Sequence, residues 1–177
     1  VKYWNEVKMV EYYNKFSTLQ VKTIAPTLVT EVKDDTTYVR LERAGTFYIE
    51  VVPHFPAEDP DQSPKRDWDH LTDFALSPLE SFALDLMIRK EGKASFIHKT
   101  DTVVKSLTIQ RRGDGNFDVF LNGPVKGETK GEKQSNSARL SPAQLGFLVD
   151  TMSRLRPYLM GQIGSLEACS VVKSVGE

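Results

Sequence analysis

One short pattern occurs twice in this chain, and each copy fixes the start of a helix. Leu76-Ser77-Pro78-Leu79-Glu80 is repeated 64 residues later as Leu140-Ser141-Pro142-Ala143-Gln144. Ser77 and Ser141 suit the cap position and Pro78 and Pro142 the first turn, while Glu80 and Gln144 stand where a side chain reaches back to the cap. Behind the first box, Leu79, Phe82, Ala83, Leu86 and Met87 recur at helical spacing; behind the second, Leu145, Leu148, Val149 and Met152 do the same. Both helices are expected to be amphipathic and to pack on something.

What precedes each box alternates in the manner of strands. Residues 19–23 and 27–33 read as two strands separated at Pro26, and Asp34-Asp35 as a turn. Residues 38–43 alternate again, with Val39 and Leu41 expected inward and Tyr38, Arg40 and Glu42 outward. Residues 46–52 give the clearest strand, with Phe47, Ile49 and Val51 on one face and Tyr48 and Glu50 on the other. Four strands thus precede the first helix. After Gly92 a second set follows: 95–99, then 103–112 and 117–122 flanking the turn Arg112-Gly113-Asp114-Gly115-Asn116, then a short last strand.

The chain therefore reads as a duplicated unit of four strands and a helix, an α+β class. It forms one domain over 1–177, with halves at 16–90 and 91–161 and a tail at 162–177. Three stretches stay less regular. Residues 1–16, rich in aromatics, suit either a short helix or a docking arm. Residues 53–73, with Pro53, Pro56, Pro60 and Pro64, read as a long acidic connection, and 123–137 as a mobile polar loop. Pro157 is expected to kink or restart the second helix, and Gly161 and Gly164 to end it.

Charge matters through its placement. The net charge is −1 at neutral pH, yet residues 54–80 carry seven acids against Lys65 and Arg66, which leaves +4 for the rest. Residues 93–112 hold five bases against Asp101 alone. Such segregation fits one surface that meets phosphate. No run approaches the roughly 18 apolar residues of a membrane span, so no membrane partner is expected. The start at Val1 leaves room for a targeting segment already removed. Cys169 is the only cysteine, which excludes an internal disulfide or a cysteine-based metal site.

The one carboxylate and histidine cluster, Asp67, Asp69, His70 and Asp73, is a candidate divalent-metal site for a hydrolase. Acids just ahead of a helix are favoured by its dipole whatever the function, so no metal or other cofactor is expected. His54 and His98 stand singly, and Ser77 is a cap rather than a nucleophile. Nucleic-acid binding has better support. Outward-facing Lys22, Arg40 and the segment from Lys105 to Arg112 would neutralise phosphates, with Tyr48 and Phe120 offering faces for stacking. A binding module is favoured over an enzyme.

Five blocks resemble, in order and spacing, the Whirly proteins of plants. They are Asp67-Trp68; Phe74-Ala75-Leu76-Ser77-Pro78 with Glu80; Phe96 with His98; Val104-Lys105-Ser106-Leu107; and Pro157-Tyr158-Leu159 with Gly161. The likeness covers about residues 16–161. Within that superfamily the chain is more similar to the kinetoplastid mitochondrial proteins that bind guide RNA. The plant Lys-Gly-Lys-Ala-Ala-Leu signature reads Gln20-Val21-Lys22-Thr23-Ile24-Ala25 here, so only Lys22 survives, and the plant Gly-Trp is Gly161-Gln162.

The resemblance implies two four-stranded antiparallel sheets packed across one another, each followed by a helix. It implies tetramers built through the helices, mixing two related chains, with an outer surface that holds single-stranded RNA by its phosphates, bases outward, for annealing in mitochondrial RNA editing. At a pI near 6.4 this chain would be the less basic member. Lys22 and Lys105 carry over from the family motifs as nucleic-acid contacts; Arg40, Arg43, Arg111 and Arg112 come from strand alternation. A plant-type homotetramer for single-stranded DNA is the alternative.

Overall fold

The structure is a computed structural model that describes residues 6–33, 36–56, 63–128 and 133–161. The Asp34-Asp35 turn, Gly164, Cys169 and the tail at 162–177 lie outside the described residues. Among the described residues ten strands and two helices follow one another as β1 (Glu6–Tyr13), β2 (Ser17–Ile24), β3 (Thr27–Lys33), β4 (Thr36–Arg43), β5 (Thr46–Pro53), β6 (Thr72–Leu76), α1 (Pro78–Glu91), β7 (Lys93–Lys99), β8 (Val104–Arg111), β9 (Phe117–Gly123), β10 (Gln134–Leu140) and α2 (Pro142–Leu159). A single 3-10 turn, Trp68–His70, precedes β6.

The strands form two four-stranded sheets, in the orders β1-β2-β5-β6 and β10-β9-β8-β7, and a separate ribbon of β3 and β4. Every pairing is antiparallel. Leu19, Val21, Phe47, Ile49, Val51, Phe74 and Leu76 of the first sheet meet Leu107, Ile109, Val119, Leu121 and Leu140 of the second in one core, closed by Leu84 of α1 and Leu145, Leu148, Met152 and Leu155 of α2. Burying that surface from water is the main driving force for the fold. Among the described residues no helix is long and apolar enough to cross a membrane.

Both capping boxes form. Ser77 accepts from the Glu80 N–H at 3.2 Å while Glu80 accepts from the Ser77 N–H at 2.9 Å, and Ser141 and Gln144 repeat the exchange at 3.2 and 2.8 Å. Gly92 closes α1, its N–H on the Ile88 carbonyl.

The first half departs from expectation in which strands it uses. Among the described residues six strands, not four, precede α1, and β3 with β4 stay out of the four-stranded sheet. Leu28, Val32 and Leu41 of this ribbon stay exposed, and among the described residues none of its apolar side chains joins the core. The edge strands come instead from β1, ahead of residue 16, and β6, which spans the end of the 53–73 connection and the residues up to the first capping box. In β1 a bulge between Lys8 and Val10 shifts the phase, so that Met9, Val10 and Tyr12 pack on the core without simple alternation.

Helix α2 runs through Pro157 to Leu159 without a restart, because only the last turn follows the proline and few bonds are lost. The α1 stripe faces outward: Leu79, Phe82 and Leu86 are 77%, 48% and 51% exposed, and α1 buries Ser81 and Leu84 instead.

Candidate nucleic-acid interface

The outer face of the first sheet carries its polar side chains in two neighbouring rows. Strand register places Glu11, Gln20, Glu50 and Asp73 side by side across the four strands, and Lys8, Lys22, Tyr48 and Ala75 in the next row. Three carboxylates in one row would repel one another, since like charges directly opposite destabilise a sheet. Cations resolve this. Glu11 takes Lys8 and Arg66; Glu50 takes Lys22 at 3.0 Å and also Lys126; Asp73 takes Lys105 at 2.7 Å.

Glu50 is fully buried and Asp73 nearly so, whereas the side chains of Lys22, Lys105 and Lys126 keep 21%, 24% and 39% of their surface. The carboxylates lie beneath and the ammonium groups reach the surface. Five cations over three carboxylates leave an excess of two positive charges. Burial pushes the Glu50 carboxyl up, but Lys126 and Lys22 outweigh it and hold that carboxyl below its ordinary range. Burial, then Arg66 and Lys22, lower the Lys8 ammonium, the mark of cations crowded on one face.

The turn after β9 and the glycine that ends that strand complete the site. After β9 the chain folds back so that the Lys126 N–H meets the Leu71 carbonyl at 2.9 Å, which delivers its side chain to Glu50. At the end of β9, a Cβ on Gly123 would stand 2.9 Å from Cγ of Lys105, so glycine lets that lysine lie across the strand. Together these residues frame a cleft of about 500 Å³ lined by Arg43, Thr46, Tyr48, Asp73, Lys105 and Lys126, among others. Arg43 is exposed on its rim.

A scan of protein families matches residues 12–150 to the family described as Whirly transcription factor. The chain belongs to the Whirly family. Among solved structures it is similar to two proteins of Arabidopsis thaliana. WHY3 has a TM-score of 0.72 at 19% identity, over 93% of this chain and 96% of that one, and WHY1 has 0.71 at 19%, over 93% and 91%. The plant transcriptional regulator PBF-2 gives 0.69 at 20% identity, over 96% and 87%. These likenesses show the Whirly fold, with its two antiparallel sheets and helices. No curated protein sequence matches the chain.

Of the sequence-predicted contacts, this Whirly chain gathers Lys22, Arg43, Tyr48 and Lys105 at one place. Lys105 arrives there unexpectedly: its strand parity is that of the core residues Leu107 and Ile109, not of the outward face, and it reaches the rim because it is the second residue of the strand. Others stand elsewhere. Arg40 is on the β3–β4 ribbon, ion-paired with Glu31 at 2.6 Å. Arg111 lies over the Phe117 ring, and Arg112 is held by Asp118 at 2.8 Å beside the β8–β9 turn. Phe120 is half-buried on the outer face of the second sheet, between Thr108 and Ser137.

Arg66, Lys126 and Glu50 went unread as site residues, and Asp73 was read only as a candidate metal ligand. The signal for Glu50 was a charge inside an otherwise apolar strand. The Asp67, Asp69, His70 and Asp73 cluster does not assemble: Asp67 pairs with His70 at 2.7 Å while Asp73 turns to Lys105. Among the described residues no three such groups converge to hold a metal ion.

Proposed function

We propose that this Whirly chain is a non-enzymatic protein that binds single-stranded RNA by its phosphates, without reading sequence, and promotes annealing, as in guide-RNA handling during mitochondrial RNA editing. The observation that carries this reading is the cationic face of the first sheet, where lysine heads stand over buried carboxylates beside Arg43 and Tyr48. Buried counter-charges fix the lysines in place without hiding them, so a phosphate chain meets an ordered row of cations. Phosphates held inward leave bases free for a complementary strand.

The outward stripe of Leu79, Phe82 and Leu86 supports assembly through the helices, into a tetramer with a related, more basic chain. That partner offsets the near-neutral charge of this one. A 20.0 kDa species in light scattering, whether alone or mixed with such a partner, would remove the tetramer.

Arg43→Glu tests the reading without disturbing the ion-pair row. Titrating labelled oligouridylate across a salt series should give affinity that falls steeply with salt. The variant should bind roughly tenfold more weakly, with a shallower slope. Affinity indifferent to both salt and Arg43 would contradict phosphate binding at this face. The same titration with DNA of matching sequence separates RNA from the single-stranded DNA of the plant-type alternative.

A further inference from the structure

The cationic row does not end at Glu11. Residues 63–67 return alongside the end of β5, pinned by the Phe55 N–H on the Lys65 carbonyl at 2.9 Å and the Asp67 N–H on the Pro53 carbonyl at 2.8 Å. The hydroxyl of Tyr13 donates to the Pro64 carbonyl at 2.9 Å. This brings the Arg66 guanidinium within 5.8 Å of the Tyr13 ring centre and 5.6 Å of the Trp68 ring centre, while the same group pairs with Glu11. His54 packs against Tyr13 with ring centres 4.7 Å apart.

These rings are only partly covered. Tyr13, Phe55 and Trp68 are each about half exposed, and Phe16, at the β1–β2 turn with Lys15 above it, is 75% exposed. A depression of about 300 Å³ runs between Lys15, Phe16, His54, Phe55, Pro56 and Pro64. Four exposed aromatics within one small region are unusual for a lone surface, and bases interleave with them.

We infer that this aromatic cluster, Tyr13 and Trp68 around Arg66 with Phe16 in the adjoining depression, is a stacking platform for unpaired nucleobases at one end of the cationic face. Strand parity puts Tyr13 and His54 on the same outer face as Lys22, Glu50 and Tyr48, and Arg66 belongs to both patches. Along β5, Tyr48 to His54 spans about 20 Å at roughly 3.3 Å per residue, so one strand reaches both. Aromatic rings and guanidinium planes accept any base by its π-face, which suits a site that ignores sequence. The strand is anchored by bases here and by phosphates over Lys22 and Lys105, where its remaining bases stay outward.

The platform rests on the RNA-binding reading, and the test separates the two. The chain has two tryptophans, so Trp4→Phe leaves Trp68 as the sole indole reporter. Adding oligouridylate to this variant should quench its fluorescence in step with binding measured by anisotropy. Trp68→Leu should weaken oligouridylate roughly tenfold and leave inorganic polyphosphate, which has no bases, unchanged. Phe16→Ser, at a fully open position, should weaken oligouridylate in the same selective way. Salt-sensitive binding with no quenching overturns the platform and leaves the phosphate face standing. Equal losses for polyphosphate and oligouridylate also overturn it. Failure of oligouridylate to bind at all overturns the reading beneath it.

Discussion

Replacing Lys22 and Lys126 together by methionine is expected to lower stability by about 3–5 kcal/mol, because Glu50 would remain fully buried with both of its cations gone. For a chain of this length that is a fall in Tm of about 6–20 °C. Either single replacement should cost much less, since the other lysine and the Gln20 amide, 2.5 Å from Glu50, still serve the carboxylate. The two changes should therefore be strongly non-additive, and a double-mutant cycle measures the coupling.

The pH dependence supplies a second signature. In the natural chain the folded-state Glu50 titrates below its unfolded value. Its contribution is present above about pH 4.3, the unfolded glutamate value, and is lost as pH falls through the folded value. Without the lysines burial dominates, the folded carboxyl titrates above its unfolded value, and acidification should relieve the double variant rather than harm it. Chemical denaturation at pH 7 and pH 5 would show the gap between the two proteins narrowing. A gap that stays constant would mean that Glu50 is not the group responsible.

Gly45→Ala is the second large effect. Gly45 joins the β3–β4 ribbon to β5, and its N–H donates to the Leu159 carbonyl at 2.7 Å. An added Cβ would lie 2.5 Å from Cδ2 of Leu159 and 2.6 Å from the Ile24 carbonyl oxygen. Leu159 is fully buried and the Ile24 oxygen is backbone, so neither gives way cheaply. A cost of about 3 kcal/mol, at the upper end for overpacking, is expected. Gly146→Ala is the control. It lies on an open face of α2 with nothing within 4 Å, and should stabilise by up to about 1 kcal/mol through helix propensity. Thermal unfolding should separate the two substitutions by sign.

The legible parts of the sequence were those where local chemistry and burial agree. The two capping boxes and the runs that became β2, β5, β8 and β9 each state one structure by spacing alone. The bulge in β1 hid its alternation, and the five residues of β6 were too few to show any. The ribbon alternates like a sheet strand, and nothing local tells that no partner covers it. The α1 stripe was visible as an apolar face, but periodicity cannot say whether such a face meets its own core or lies open.

The site divides the same way. Lys22 and Tyr48 followed from the outward phase of two regular strands. Arg66 and Lys126 belong to irregular segments that fold back, and their meeting with Glu11 and Glu50 is a long-range consequence of the whole fold. Arg40, Arg111 and Arg112 share the charge of the gathered residues but not their location.

Photo-crosslinking locates the RNA most directly. With 4-thiouridine-substituted oligouridylate bound at low salt, crosslinked peptides identified by mass spectrometry should contain Arg43 and Tyr48, the Lys126 loop, and Tyr13 or Trp68. Crosslinks confined to Phe120 and its neighbours on the second sheet, or to the α1 stripe, would contradict the account.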